Sequence, residues 1–367
     1  MNVGINLLYL IPGIVGGTET YARNLIYHLV STDENNVYYI FVPTDARYIL
    51  KDLPENGKII EVPIFSNKVN RILWEQFVLP IKVYKYKISI LFSLGYVIPI
   101  FARCKHIVTI HDLLYKRFSY TIPKSKRVYW RLFIPLSVSR AAKVIAVSKF
   151  TNDELIHYFP RAAEKIIVTQ LGVDGSKYYP DMSKGNGIFP EKFIVCVATL
   201  SPHKNLEIIL KAVHALKMMG TNVNLVLVGN KERATKDIER SVDKLGISQQ
   251  ISLLGYVSDE KLRQIYSIAT LFVLPSIYEG FGLPVLEAMA CGCPVICSHA
   301  GSLPEVGGNA AKYFNPFDLE EIVALLKQVY FDEQLRNEMK GLGFKNVEKF
   351  RWSVTAKNTM NCINKLA

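Results

Sequence analysis

The sequence predicts an α/β protein built from two consecutive doubly wound domains, each a parallel sheet covered by helices on both faces. Three observations lead there. Strand-length apolar runs recur along the 367 residues without polar alternation, as in sheets buried on both sides. The chain opens with an apolar run, a glycine loop and an amphipathic stretch, which is the first unit of a parallel sheet. The pattern stops at a polar stretch, residues 173–191, and then restarts.

The elements follow in order. "NVGINLLYL" reads as a buried strand, and Gly13, Gly16 and Gly17 make the loop after it. Thr18 to Val30 reads as a helix, with Ala22, Leu25, Ile26 and Leu29 at i, i+3, i+4 and i+7. Thr18 or Thr20 could cap it. Further strands are expected at 37–42, 58–62, 88–93, 106–110, 143–148 and 165–172. Residues 1–172 form the first domain and 173–191 a linker. Residues 192–347 form the second, with strands in "FIVCVATL", "NVNLVLVGN", "ISLLGYV", "ATLFVLPS" and "PVICSHAGS". Helices are expected near 205–219, after Ser258 as N-cap, and over 284–291 between Pro284 and a capping Gly292. Residues 348–367 read as a terminal helix packing back on the first domain.

Bulk composition excludes several classes. The chain is 50% hydrophobic and 21% charged, which is globular rather than disordered. No apolar run reaches 18 residues, and the start lacks a basic n-region and cleavage site, so a cytoplasmic location is expected. Six cysteines are too few for a disulfide scaffold. Cys291, Cys293 and Cys297, with His299 near them, could bind zinc, though the spacing fits a helix end and a buried strand better. The net charge is +12, of which residues 1–175 carry +9. From Leu113 to Asn152 nine basic residues stand among aromatics with no acid. Such a face suits nucleic acid, anionic lipid or a phosphorylated substrate, or is a solvated helix.

Ligands in doubly wound sheets sit outside the carboxyl ends of the strands. The chemically pointed residues gather at those ends: Gly16 and Gly17, His111, Ser148, His203 and Lys204, Gly255 to Val257, and Glu279 to Pro284. They could line one cleft between the domains. In "YEGFGLPVLEAMACGCPV", seven residues separate Glu279 from Glu287. Glycines before a helix N-terminus invite a phosphate, and a carboxylate can grip a vicinal diol. Lys204 could neutralise a diphosphate, and His111 could donate to a sugar oxygen. No D-x-D occurs, so no metal–diphosphate site is expected.

The chain resembles the family-4 retaining glycosyltransferases, which have the GT-B fold: two Rossmann-like domains facing across a cleft. The resemblance runs through "GGTETYARNL", "HDLLY", "VSKFTNDEL", "LGVD", "VATLSPHKNL", "LLGYVSDEKL" and the long stretch from Leu271 to Ala311. It implies catalytic parts for Glu279, His111 and Lys204. Glu279 and the amides of Phe281, Gly282 and Leu283 would hold the donor sugar and its phosphate. Glu287 would hold the ribose, Lys204 the diphosphate, and Tyr256 and Val257 would lie beside the base. Gly17 would let the backbone approach the reacting centre, His111 would contact the sugar's primary hydroxyl, and Gly16 and Ser148 complete the donor-binding set. Where the family often has arginine, five positions before the lysine, Thr199 stands here, as in a branch rich in mannosyltransferases.

The implied reaction moves a hexose from a nucleotide diphosphate sugar, GDP-mannose first, to a glycan or polyprenyl-diphosphate-linked acceptor in cell-surface polysaccharide synthesis. It retains configuration and needs neither cofactor nor metal. The protein would act at the inner membrane surface, with anionic lipid as a candidate partner there. A UDP-sugar or dTDP-rhamnose donor stays open. A nucleotide-sugar epimerase, a phosphorylase and a non-catalytic binding protein are the other classes; no nucleic-acid module is recognised.

Overall fold

The computed structural model describes residues 1–11, 16–50, 52–63, 68–181, 189–229 and 235–367. Gly13 and residues 182–188 of the expected linker lie outside them. Two compact units result. The first is Met1–Gly172 with Trp352–Ala367, and the second is Val173–Arg351.

In the first unit, β1 (Asn2–Asn6), α1 (Gly17–Thr32), β2 (Val37–Pro43) and β3 (Gly57–Val62) lead into α2 (Lys68–Leu73) and α3 (Leu79–Lys85). Then come β4 (Ile90–Ser93), β5 (Lys105–Ile110), α4 (Leu114–Arg117), α5 (Lys124–Arg140), β6 (Lys143–Ala146), α6 (Lys149–Tyr158) and β7 (Ile166–Val168). Among the described residues the sheet order is β3-β2-β1-β4-β5-β6-β7, and every pairing is parallel. Apolar strands specify this: β4 is buried at all four positions. The predicted stripe on α1 holds, with Ala22, Leu25, Ile26 and Leu29 all fully buried. Its three larger side chains contribute roughly 5–9 kcal/mol before conformational entropy. The α1 cap differs from expectation. Gly16 occupies the N-cap with no side-chain hydrogen bond, and Thr18 and Thr20 lie inside the helix.

The second unit runs β8 (Ile194–Val197), α7 (Leu206–Met218), β9 (Leu225–Val228), α8 (Thr235–Lys244), β10 (Ile251–Gly255), α9 (Asp259–Ile268) and β11 (Leu271–Leu274). It continues with α10 (Leu283–Ala290), β12 (Val295–Ser298), α11 (Leu303–Gly307), β13 (Ala311–Phe314), α12 (Leu319–Phe331) and α13 (Glu333–Val347). Its parallel sheet, order β10-β9-β8-β11-β12-β13, has the doubly wound 3-2-1-4-5-6 pattern. Ser258 caps α9 as expected, its hydroxyl accepting from the Lys261 amide.

The stretch expected as a linker is tied down over its described first half. Asp181 pairs with Arg263 on α9 at 3.2 Å, and its amide donates to Ser267. Lys177 pairs with Asp259. These contacts make Val173–Asp181 part of the second unit.

The last helix, α14 (Trp352–Asn364), completes the first unit. Buried Trp352 meets buried Tyr21 of α1 at 6.2 Å between ring centroids, and the Thr355 hydroxyl donates to the Gln170 carbonyl. Trp352→Ala should therefore cost the first unit about 3–5 kcal/mol, seen as a lower urea midpoint for that transition. An unchanged midpoint would show that α14 does not support the unit.

Candidate active site

In the second unit the strand order turns back between β8 and β11, and in doubly wound sheets that switch point is where a ligand crevice opens. The loops leaving these two strands are fastened together. After β8 the chain makes one 3-10 turn, Pro202–Lys204, closed by Asn205 in the left-handed region (φ 54°). The Asn205 side chain donates to the Pro316 carbonyl at 2.8 Å. After β11 the Ile277 amide donates to the His203 carbonyl at 2.9 Å. Lys204 Nζ then reaches Glu279 Oε1 at 2.6 Å.

The pair is mostly withdrawn from water, with side chains 16% and 12% exposed. Burial pushes the Glu279 carboxyl up. The Lys204 charge and hydrogen bond, the Ser276 hydroxyl and the charge of His203 outweigh it and hold the carboxyl below its ordinary range. Ser276 donates to the same oxygen at 2.7 Å. Glu279 is thus ionised at neutral pH and ready to accept from a hydroxyl.

Next comes α10. Gly282 is its N-cap, at φ 103°, and no side chain caps the helix. Only glycine fits, because an added Cβ would also sit 2.7 Å from Leu303. The helix starts at Leu283, so Pro284 takes its second position rather than the expected first. The first-turn amides of a helix have no intrahelical acceptor, and the dipole adds positive potential there. Glu287 is the fifth residue of α10, 8% exposed, and accepts from the Tyr266 hydroxyl at 3.4 Å.

The other expected residues of this unit are nearby in the fold to different degrees. Thr199 is exposed at the end of β8, 3.3 Å from the Ser201 hydroxyl. Tyr256, 74% exposed, and Val257 follow β10. Phe281 is buried, and its carbonyl accepts from Ser302 at 2.7 Å.

Several supporting residues escaped the sequence reading. Ser276 sits in "SIYE", three residues before Glu279, a spacing that could have flagged it. Ser302 donates from its amide and hydroxyl to the Glu279 carbonyl. Gly301, at φ 60°, lies so close that a Cβ would be 2.6 Å from that carbonyl. Nothing in the local pattern of "HAGSLPE" points to this, because the partner lies 22 residues upstream.

In the first unit, Gly16 and Gly17 open α1 and His111 follows β5. Tyr21 joins them: its ring lies edge-on to His111 at 5.0 Å, and its hydroxyl meets Thr109. His111 was expected to donate to a sugar. Its Nε2–H instead donates to the Leu94 carbonyl at 2.8 Å, leaving Nδ1 as an acceptor. Burial keeps the ring neutral against the pull of that carbonyl and of Asp112. Ser148 is fully buried and caps α6, accepting from the Thr151 amide at 3.0 Å, so the structure gives its hydroxyl a packing task. Cys291, Cys293 and Cys297 are all buried, with thiols pushed up by burial, and no metal-binding cluster occurs among the described residues.

The ion pair carries a pH signature. The Glu279 carboxyl sits below its ordinary 4.5 in the folded chain, so the pair contributes stability above about pH 4.5 and loses it as pH falls through the folded value. Lys204→Met leaves the carboxylate buried and unpaired, at a cost of about 3 kcal/mol near neutral pH. Denaturation of both proteins from pH 7 to pH 3 should show this gap shrinking in acid. A gap independent of pH would mean the pair is not ionised.

The chain is similar to known proteins along its length. Residues 15–177 match the family model described as Glycosyltransferase Family 4, and residues 180–345 that of Glycosyl transferases group 1. O-antigen chain mannosyltransferase B of Escherichia coli is 32% identical over 70% of this chain and 69% of its own. The serotype-specific mannosyltransferase WbdA of Escherichia coli is 31% identical, but the match spans only 28% of its length. Among solved structures, Anabaena Alr3699/HepE in complex with UDP and glucose shares the fold at TM-score 0.76, with 20% identity and 99% of both chains covered. With two doubly wound units and these relatives, the chain belongs to the family-4 glycosyltransferases of the GT-B fold.

Proposed function

We propose that the protein transfers mannose from GDP-mannose to a hydroxyl of a glycan or polyprenyl-diphosphate-linked acceptor, retaining the anomeric configuration and without a metal. The observation that carries the donor site is the buried Lys204–Glu279 pair at the second unit's switch point, directly before the uncapped start of α10. The mannose assignment draws support from the O-antigen mannosyltransferase relative and from Thr199. The nucleotide-sugar class draws support from a fold neighbour bound to UDP and glucose.

Each residue then has a task. Lys204 and the Phe281, Gly282 and Leu283 amides face the diphosphate, whose charge grows as the glycosidic bond breaks. Fixed donors aimed at developing charge stabilise the transition state more than the ground state. Glu279, ionised, accepts from sugar hydroxyls and keeps the sugar turned. Glu287 takes the ribose diol, with Tyr266 holding its other side. Gly16 and Gly17 admit the reacting centre at the α1 terminus, and neutral His111 offers Nδ1 to the primary hydroxyl of the sugar. Lys204 supplies the cation that a metal would otherwise provide, and a leaving phosphate oxygen takes the acceptor proton.

Incubation with GDP-mannose, UDP-glucose, UDP-N-acetylglucosamine and dTDP-rhamnose, in EDTA and with products followed by NMR, tests this. GDP release and an α-configured product are expected. Lys204→Ala should lower turnover about 10²–10³-fold with the fold intact. Loss of activity in EDTA would contradict the metal-free mechanism, and free epimer or sugar phosphate would favour an epimerase or phosphorylase.

A further inference from the structure

The loop after β4 has a strained backbone. Tyr96 stands in the left-handed region at φ 54°, which bulky side chains avoid. Across it the Val97 amide donates to the Gly95 carbonyl at 2.5 Å, a γ-turn of the rare kind with positive central φ. Gly95 lets the loop pass, since a Cβ there would be 2.5 Å from the Tyr9 ring. The Tyr96 amide donates to the Thr109 carbonyl of β5 at 3.0 Å, two residues before His111. A strained residue persists only where its surroundings over-determine it, and such residues gather at functional sites.

Tyr96 meets the chain that leaves β5. Its ring lies 5.4 Å from the His111 ring and stacks on Trp130 of α5 at 5.3 Å. Its hydroxyl donates to Asp112 Oδ2 at 2.7 Å, and the Leu114 amide donates to Oδ1 at 3.0 Å. Leu94, two residues before Tyr96, supplies the carbonyl that fixes Nε2 of His111. One loop thus holds both the imidazole and the carboxylate next to it.

That carboxylate works against the imidazole's task. Nδ1 accepts a hydrogen bond only while the ring is neutral. Burial holds the ring below its ordinary range of protonation, and the Leu94 carbonyl and Asp112 pull the other way. The rings that meet His111 add no charge. Burial keeps Tyr21 of α1 protonated, and Tyr96 is a hydrogen-bond donor. Asp112 is therefore the charge to control. Two donors on its oxygens fix where it sits and disperse its charge.

We propose that Tyr96 is a positioning residue for His111. By its ring and by its grip on Asp112 it keeps that carboxylate from charging the imidazole, and it leaves Nδ1 to accept from the sugar's primary hydroxyl. The inference deepens the proposed sugar contact of His111 and rests on that reading for its purpose. A tyrosine that merely filled space could become phenylalanine without consequence for His111.

NMR of histidine labelled in the side chain, assigned with His111→Ala, tests the grip itself. In wild type His111 should be the Nε2–H tautomer and titrate below its ordinary range. Tyr96→Phe keeps the ring and removes the donor, and should raise the His111 midpoint by about one pH unit. Adding Asp112→Asn should undo that rise, because the charge is gone. Turnover of GDP-mannose, read as GDP release, tests the consequence. In Tyr96→Phe the acid limb of kcat should move up with the midpoint, while the alkaline plateau and donor KM stay within about threefold. In the His111→Ala background Tyr96→Phe should move neither limb nor plateau. An unchanged midpoint in Tyr96→Phe, a kcat limb that stays put, or a limb that moves equally without His111 would each overturn the proposal. A raised midpoint in a protein that turns over no nucleotide sugar would leave the grip of Tyr96 standing and remove the transferase reading.

Discussion

The second unit depends on one interaction, the ion pair between Lys204 and Glu279. Two loops that leave adjacent strands at a switch point carry opposite charges into a place with little water. Neither charge would tolerate that place alone, since an isolated buried ion costs several kcal/mol. Together, with Ser276 on the same carboxylate oxygen, they hold both loops and keep the carboxyl ionised. The proposed donor site is thus charged and fixed before any ligand arrives, which is what electrostatic preorganisation requires.

Backbone geometry does the rest. The Ile277–His203 hydrogen bond ties the loops at main-chain level, and Ser302 holds the Glu279 carbonyl from the other side. Gly282 turns the chain into α10 without a side-chain cap, so the helix terminus stays open toward an anion. The first unit uses a parallel device at α1, where Gly16 replaces the hydroxyl cap that Thr18 or Thr20 promised. An uncapped terminus makes the helix weaker and the site better. Local helix rules therefore failed at the position where a ligand is proposed.

Most of the architecture was legible because parallel sheets leave a strong mark. Strands such as "LFVL" and "LVLV" are apolar on both faces, and the α1 stripe has helical spacing. Lys204 and Glu279 could be picked out because each follows a strand end. What could not be read was set by contacts distant in sequence. Gly301 and Ser302 matter only because Glu279 lies against them, and Asp181 left the linker only because Arg263 reaches it. Ser148 and His111 stand at strand ends, but only the fold shows that the Ser148 hydroxyl caps α6 and that the Leu94 carbonyl takes Nε2 of His111 and leaves Nδ1 as its acceptor.

If the pair is the heart of a donor site, nucleoside diphosphate must bind against it, and the binding must depend on the lysine's charge. Titration calorimetry of GDP, UDP and dTDP into wild type and Lys204→Met measures this directly. The expected result is binding of at least one nucleotide by wild type, GDP most tightly, and a loss of at least tenfold in the variant while its thermal unfolding stays cooperative. Equal affinity in the two proteins, or no binding of any of the three by wild type, would contradict the assignment of this pair to the diphosphate.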